Sequence, residues 1–238
     1  MSSRGATAIE RALIVFARAP EPGRVKTRLE PLLGKAGAAR LHARLVERAL
    51  QTALAAGFVS VYLHCSPGTK DEFFARMKMR YGIRLRAQGR GDLGERMHRA
   101  FRRHPGAVLI GADCPALRPA DLRAAARALQ AGADAVFSPA EDGGYALVGL
   151  RRSARAAFDG VDWGSARVMA QTRDRLRRLG WRWRELRTVW DVDRPEDVER
   201  LGKSGLLAAR GRPISAAART RAAPSAGSRR HSGAPGRT

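Results

Sequence analysis

Gly111-Ala112-Asp113-Cys114-Pro115 places a lone carboxylate, then a proline, directly after the apolar run Ala107-Val108-Leu109-Ile110. Such a run reads as a short buried strand, so Asp113 falls at a strand's carboxyl end, the edge at which open α/β sheets bind ligands. A carboxylate there is a hard oxygen donor suited to Mg2+ or Mn2+, cations that keep waters and substrate phosphates in their shells. It is also an ordinary turn former before Pro115. A second acidic turn, Asp191-Val192-Asp193, follows a later strand-like run. Side chains on an extended segment alternate with period two, which puts Asp191 and Asp193 on one side. Two such groups repel unless a metal ion or a basic partner such as Arg194 stands between them. Asp193-Arg194-Pro195-Glu196 equally has the form of an N-cap, a proline and a capping-box acid opening the last helix.

A basic loop complements these acids. Pro20-Glu21-Pro22-Gly23-Arg24-Val25-Lys26-Thr27-Arg28 follows the apolar run Leu13–Ala17. Gly23 allows close backbone approach, and Arg24, Lys26 and Arg28 supply charge for a phosphate. A P-loop is excluded, because Val25 stands where that motif needs a glycine before the lysine. Gly91-Asp92-Leu93-Gly94-Glu95-Arg96-Met97 opens a helix, with Asp92 either its N-cap or a contact to a base or ribose for which Gly91 and Gly94 leave room. Asp142-Gly143-Gly144-Tyr145 is a tight glycine turn into a strand, or the floor of an acceptor site with Asp142 as hydrogen-bond acceptor or base. The five histidines form neither an HxxxH pair nor a catalytic pair with cysteine, and no GxSxG occurs.

Alternating strands and helices must position these groups. Strands are expected at 13–17, 58–64, 83–85, 107–111, 135–138, 145–150 and 183–189, and helices at 36–56, 71–79, 91–103, 119–130, 167–179 and 195–201. The continuous apolar character of Leu13–Ala17 suits a parallel strand buried on both faces. The rhythm predicts βαβ units and a mostly parallel sheet flanked by helices, in one α/β domain over residues 11–202. Residues 205–238 are rich in Ala, Arg, Gly, Pro and Ser, hold few large apolar groups and are expected to be disordered.

The 238 residues carry 45 basic and 22 acidic side chains, a formal charge of +23. That favours anionic partners in general. Arginine is spread over every expected helix rather than massed on one, so a nucleic-acid partner is not expected. The two cysteines, Cys65 and Cys114, have no metal-ligand spacing and fit a reducing, cytoplasmic setting. No apolar run approaches the ~18 residues of a membrane span, and the stretch after Arg4 is too short for a signal sequence.

Val15-Phe16-Ala17-Arg18-Ala19-Pro20 with Pro22-Gly23-Arg24-Val25-Lys26-Thr27-Arg28-Leu29, then the segments 91–97, 111–115, 142–145 and 191–193, resemble in content and order a largely uncharacterised bacterial glycosyltransferase-A-like family. Some of its members are labelled arsenosugar-biosynthesis glycosyltransferases. It is similar to nucleotide-diphospho-sugar transferases and to molybdenum-cofactor and phospholactate guanylyltransferases. The resemblance, over about residues 11–202, implies a GT-A, Rossmann-like fold binding a nucleotide sugar or a nucleoside triphosphate and a small-molecule acceptor, with Mg2+ or Mn2+ as cofactor. It implies that Pro20, Gly23, Arg24, Lys26, Arg28, Gly91, Asp92, Gly94, Arg96 and Met97 line the nucleotide site, and that Asp113, Asp191 and Asp193 hold the metal. Asp142, Gly143, Gly144, Tyr145 and Trp163 would face the acceptor, with Asp142, Lys26 and Arg28 catalytic. Trp163-Gly164-Ser165 departs from the family's Trp-Ser-Thr. Glycosyl transfer is the expected reaction, nucleotidyl transfer the alternative. A non-catalytic nucleotide- or RNA-binding protein is the reading from another class. The sugar, base, acceptor and oligomeric state are left open.

Overall fold

The computed structural model describes residues 9–207. The bulk of the expected tail, 208–238, lies outside the described residues.

Among the described residues seven strands form one sheet: β1 (Ile9–Arg18), β2 (Phe58–Ser66), β3 (Arg84–Ala87), β4 (Val108–Gly111), β5 (Ala135–Pro139), β6 (Tyr145–Leu150) and β7 (Trp183–Glu185). Their order is β3-β2-β1-β4-β6-β5-β7. Every adjacent pair is parallel except those made by β6, which runs antiparallel to both β4 and β5. The helices are α1 (Glu30–Ala55), α2 (Glu72–Tyr81), α3 (Leu93–Arg103), α4 (Pro119–Gln130), α5 (Val168–Arg178) and α6 (Pro195–Ser204).

Period two along β1 divides the core. Leu13, Val15 and Ala17 pack on one face with α1, α2 and α4, while Ile14 and Phe16 pack on the other with α3 and α5. A third cluster joins Leu29, Leu45, Val192 and Leu201, docking α6 on α1. Leu206 and Leu207 pack against it, so residues 205–207, expected to be disordered, are ordered beyond α6.

α1 begins earlier than the expected residue 36. The helical path is interrupted at Gly34, φ +67°, so its first turn is a separate piece that carries the chain out of the basic loop. The expected strand 183–189 ends at Glu185, with only Val189 rejoining through an isolated bridge to Ala140. Between them Arg187 turns off the sheet to reach the buried Asp121, with its Nη2 2.7 Å and its Nε 3.0 Å from the carboxylate.

Candidate active site

The site lies where β1 and β4 end side by side, Phe16 pairing with Gly111 in parallel register. The chains leaving these strands therefore emerge together, β1 into the basic loop and β4 into Asp113. A further acidic segment is tied in by the backbone: Val192 N–H donates to the Asp113 carbonyl at 3.0 Å, and Cys114 Sγ lies 3.0 Å from the Trp190 carbonyl. Val192 is fully buried in the α1–α6 cluster. Its two neighbours are thereby turned toward Asp113, as the alternation of an extended segment requires.

The resulting cleft, of about 670 Å³, is lined by Arg18, Arg24, Lys26, Arg28, His42, Gln88, Gly91, Asp92, Arg96, Asp113 and Asp193, among others. Its size is that of a site for a nucleotide-sized ligand. Lys26 reaches into it with its side chain only 6% exposed, its Nζ 3.0 Å from Asp113 Oδ1 and 3.8 Å from Asp193 Oδ1. Arg28, largely exposed, pairs with the other oxygen of Asp193. Lys26 and Arg28, not Arg194, therefore pair with Asp193, and Lys26 joins it to Asp113 rather than to Asp191. Lys26 is the only non-glycine residue with positive φ among the described residues, at +51°. A side-chain-bearing residue adopts that conformation at a cost of about 1–2 kcal/mol, offset here by the two carboxylates its ammonium meets.

His42, buried on α1, completes the surround of Asp113. Its Nε2–H donates to the Arg18 carbonyl at 3.1 Å, leaving Nδ1 turned toward Asp113 Oδ1 at 3.6 Å. Burial alone would raise the Asp113 carboxyl, but Lys26 and His42 outweigh it and hold it well below the usual carboxylate range. Asp191 is the opposite case. Burial, then the negative charges of Asp142 and Asp113, push its carboxyl up to about 6 despite Lys26. Asp191 has no ion-pair partner among the described residues.

Asp113 and Asp191 present the oxygen donors that Mg2+ or Mn2+ prefers, and the raised Asp191 marks a place where negative charge is undercompensated. That is the electrostatic condition a divalent cation relieves. Among the described residues no three His, Cys, Asp or Glu side chains form a ready metal cage. Asp193, already held by Lys26 and Arg28, is the least available of the three acids expected to bind metal.

The 91–97 segment divides between cleft and core. Asp92 and Glu95 form a reciprocal cap on α3, Asp92 Oδ1 accepting from Glu95 N at 2.8 Å and Glu95 Oε2 from Asp92 N at 3.2 Å. A Cβ on Gly91 would fall 1.9 Å from that Glu95 oxygen, so the cap itself requires this glycine. Gly91, Asp92 and Arg96 line the cleft. Gly94 and Met97 do not reach it. A Cβ on Gly94 would stand 2.9 Å from Trp163, and Met97 is buried among Ile14, Phe16 and Phe101. Their expected nucleotide contacts are replaced by packing, because the helical period turns both toward the sheet. Pro20 and Gly23 stay in the loop beside the cleft.

The expected acceptor residues also separate. Asp142 is exposed, its Oδ1 accepting from Gly144 N at 2.9 Å, and Gly143 lies so close to Ala166 that a Cβ would meet its carbonyl oxygen at 2.1 Å. Tyr145 and Trp163 meet edge to face at 6.3 Å and continue into Phe137 and Phe158. The Tyr145 hydroxyl and the Trp163 Nε1 are buried, so these rings form a wall beneath the turn rather than an open surface.

Three residues not singled out in the sequence belong to the site. Gln88 donates from Nε2 to the carbonyls of Ala17, at 3.2 Å, and His64, at 2.9 Å, joining β1 to β2 and pinning its amide so that Oε1 faces Arg96. Arg96 Nε is held by the Gly91 carbonyl at 2.9 Å. Arg18 opens the cleft at the end of β1. For His42 the available signal was a histidine sharing a helical face with Ala38, Leu45, Val46 and Ala49. A second cavity, of about 410 Å³ beside His98, Arg99 and Arg155, has much of its charge already engaged: Arg155 with Asp159, Arg99 with the carbonyls of Gln88 and Arg90.

Comparison with known proteins agrees with this architecture. Residues 49–165 match a family described as an uncharacterised protein conserved in bacteria (DUF2064). A protein of Desulfovibrio desulfuricans G20, provisionally called a nucleotide-diphospho-sugar transferase, is 32% identical over 82% of this chain and 87% of that one, with a TM-score of 0.74. A nucleotidyl transferase of Methanothermobacter thermautotrophicus (16% identity, 82% of this chain and 98% of that one, TM-score 0.52) shares the fold. So does the 4-diphosphocytidyl-2C-methyl-D-erythritol synthase of Anaerococcus prevotii (8% identity, 82% and 96%, TM-score 0.54). No curated protein matches. No helix among the described residues is long and apolar enough to cross a membrane. By its match over residues 49–165 and its likeness to the Desulfovibrio protein over most of both chains, the chain belongs to this uncharacterised bacterial family, built on the α/β fold of nucleotide-diphospho-sugar transferases.

Proposed function

We propose that the protein is a metal-dependent transferase that moves a sugar from a nucleoside diphosphate sugar to a small acceptor. The observation carrying this reading is the convergence, in one cleft at the carboxyl ends of β1 and β4, of a phosphate-type basic loop with two acidic turns stitched together by the Val192–Asp113 hydrogen bond. Gln88 and Arg96, held by backbone carbonyls, form the wall suited to the nucleoside. Lys26 and Arg28 neutralise the diphosphate. Asp113 and Asp191 would hold Mg2+ or Mn2+, which supplies further stabilisation of charge on the leaving diphosphate. Asp142, exposed on the turn facing Asp191, would take the acceptor hydroxyl's proton through its free oxygen.

The count of cations in the cleft favours a second reading. Arg18, Arg24, Lys26, Arg28 and Arg96 together suit a triphosphate as well as a diphosphate, which allows nucleotidyl transfer to a phosphorylated acceptor. Product analysis separates the two. Glycosyl transfer releases a nucleoside diphosphate, nucleotidyl transfer releases pyrophosphate, and release of neither from any nucleotide sugar or triphosphate contradicts both.

A further inference from the structure

Lys26 is placed unlike a simple phosphate-binding lysine. Its side chain is nearly buried, its backbone is held in the left-handed region, and its ammonium touches two carboxylates instead of pointing to solvent. The neighbouring Arg28 is exposed and holds Asp193 from outside. Asp191, within the influence of the same ammonium, has no ion-pair partner among the described residues. A positive charge therefore already stands beside Asp113, where a divalent cation would bind.

We infer that Lys26 is the resident counter-ion of the acidic cluster, and that an incoming diphosphate draws its ammonium off Asp113 and so frees the carboxylate for a divalent cation. Metal and donor then bind as a coupled pair. The inference rests on the donor-binding reading of the cleft. Like charges a few ångströms apart repel strongly in a partly desolvated site, so the ammonium opposes the metal while it remains on Asp113. A diphosphate offers that ammonium a more highly charged partner, and the four-carbon lysine stem can swing to it while Arg28 keeps Asp193 satisfied. Linkage makes the effect reciprocal: donor raises metal affinity by the factor by which metal raises donor affinity.

The test is Mn2+ binding to the full chain, followed by the electron paramagnetic resonance signal of free Mn2+. It is run with Mn2+ alone and with UDP, GDP, CDP or ADP, on the unaltered protein, Lys26→Met and Lys26→Arg. Lys26→Met is expected to bind Mn2+ alone at least tenfold more tightly than the unaltered protein, while Lys26→Arg, which keeps the charge, does not. The best diphosphate is expected to raise Mn2+ affinity at least tenfold more in the unaltered protein than in Lys26→Met. Should Lys26→Met fail to fold, Lys26→Gln carries the same expectation. Equal or weaker binding of Mn2+ alone by the neutral variants overturns the exchange, as does equal enhancement by the diphosphate in both proteins. These results leave the donor reading standing. If no diphosphate changes Mn2+ affinity in the unaltered protein, the donor reading falls, and the exchange with it.

Discussion

Replacing Asp191 by asparagine should make the metal-free protein more stable while disabling its site. The Asp191 carboxyl is pushed from 3.8 up to about 6, by burial first and then by Asp142 and Asp113. A raised acid means the folded state holds its proton where the unfolded chain has released it. This group's contribution is therefore fully present below pH ~3.8 and is lost as pH rises through ~6. At pH 7.5 the ionised form costs about 2 pKa units, or ~3 kcal/mol as an upper bound. Partial solvent screening reduces the expected gain from Asp191→Asn to about 1–2 kcal/mol, a rise in Tm of roughly 2–8 °C for a domain of this size. The assay is urea unfolding in EDTA at pH 7.5 and at pH 4, comparing the variant with the unaltered protein. The difference should be present at pH 7.5 and nearly vanish at pH 4. A destabilised variant at pH 7.5, or an equal gain at both pH values, would refute the argument that Asp191 is an undercompensated charge.

Three further substitutions probe neighbouring parts of the structure. His64 is buried against Phe16 and held down to about 3 by burial first, then by His104, Arg103 and Arg86. The unfolded chain therefore takes up a proton between pH 6.5 and ~3 that the folded state refuses, and stability falls as pH drops through that window. His64→Phe should flatten the decline in Tm between pH 6.5 and 4, and an unchanged slope contradicts the assignment. Gly94→Ala forces a methyl against Trp163 and should cost about 1–3 kcal/mol in urea unfolding; a large loss of nucleotide affinity in the folded variant would instead return Gly94 to the ligand. Met97→Ala should cost about 2–5 kcal/mol through the cavity it leaves, measured in the same way, and a loss under 1 kcal/mol would place Met97 outside the core.

What the sequence disclosed followed from local rules. The apolar run Leu13–Ala17 announces a strand buried on both faces, and both faces of β1 are covered. The helix expected at 119–130 is α4, and Asp92, readable as an N-cap, caps α3. Legibility failed where distant partners decide. Nothing within 183–189 reveals that Arg187 will leave the sheet for Asp121, because the partner lies on another helix. Gly94 and Met97 share a motif with Asp92 and Arg96, and only the direction in which α3 packs sends two of them to the core and two to the cleft. The acidic turns could be paired by type, but the hydrogen bond between Val192 and Asp113 that unites them depends on how α6 docks. Gln88 was silent because it acts through backbone carbonyls, which any residue provides, and His42 showed only as a histidine on an apolar helical face, its carboxylate partner Asp113 lying far along the chain.

The proposed function requires that this cleft bind a nucleotide together with a divalent cation through Asp113. Thermal unfolding of the protein and of Asp113→Asn, with UDP-, GDP-, CDP-, ADP- and dTDP-sugars and the nucleoside triphosphates, each with Mg2+, Mn2+ or EDTA, tests it most directly, since a ligand that binds the folded state raises Tm by mass action. The expected result is a rise in Tm for one nucleotide class that needs the metal and disappears in Asp113→Asn. No rise with any nucleotide, or a rise that survives both EDTA and the substitution, would contradict it.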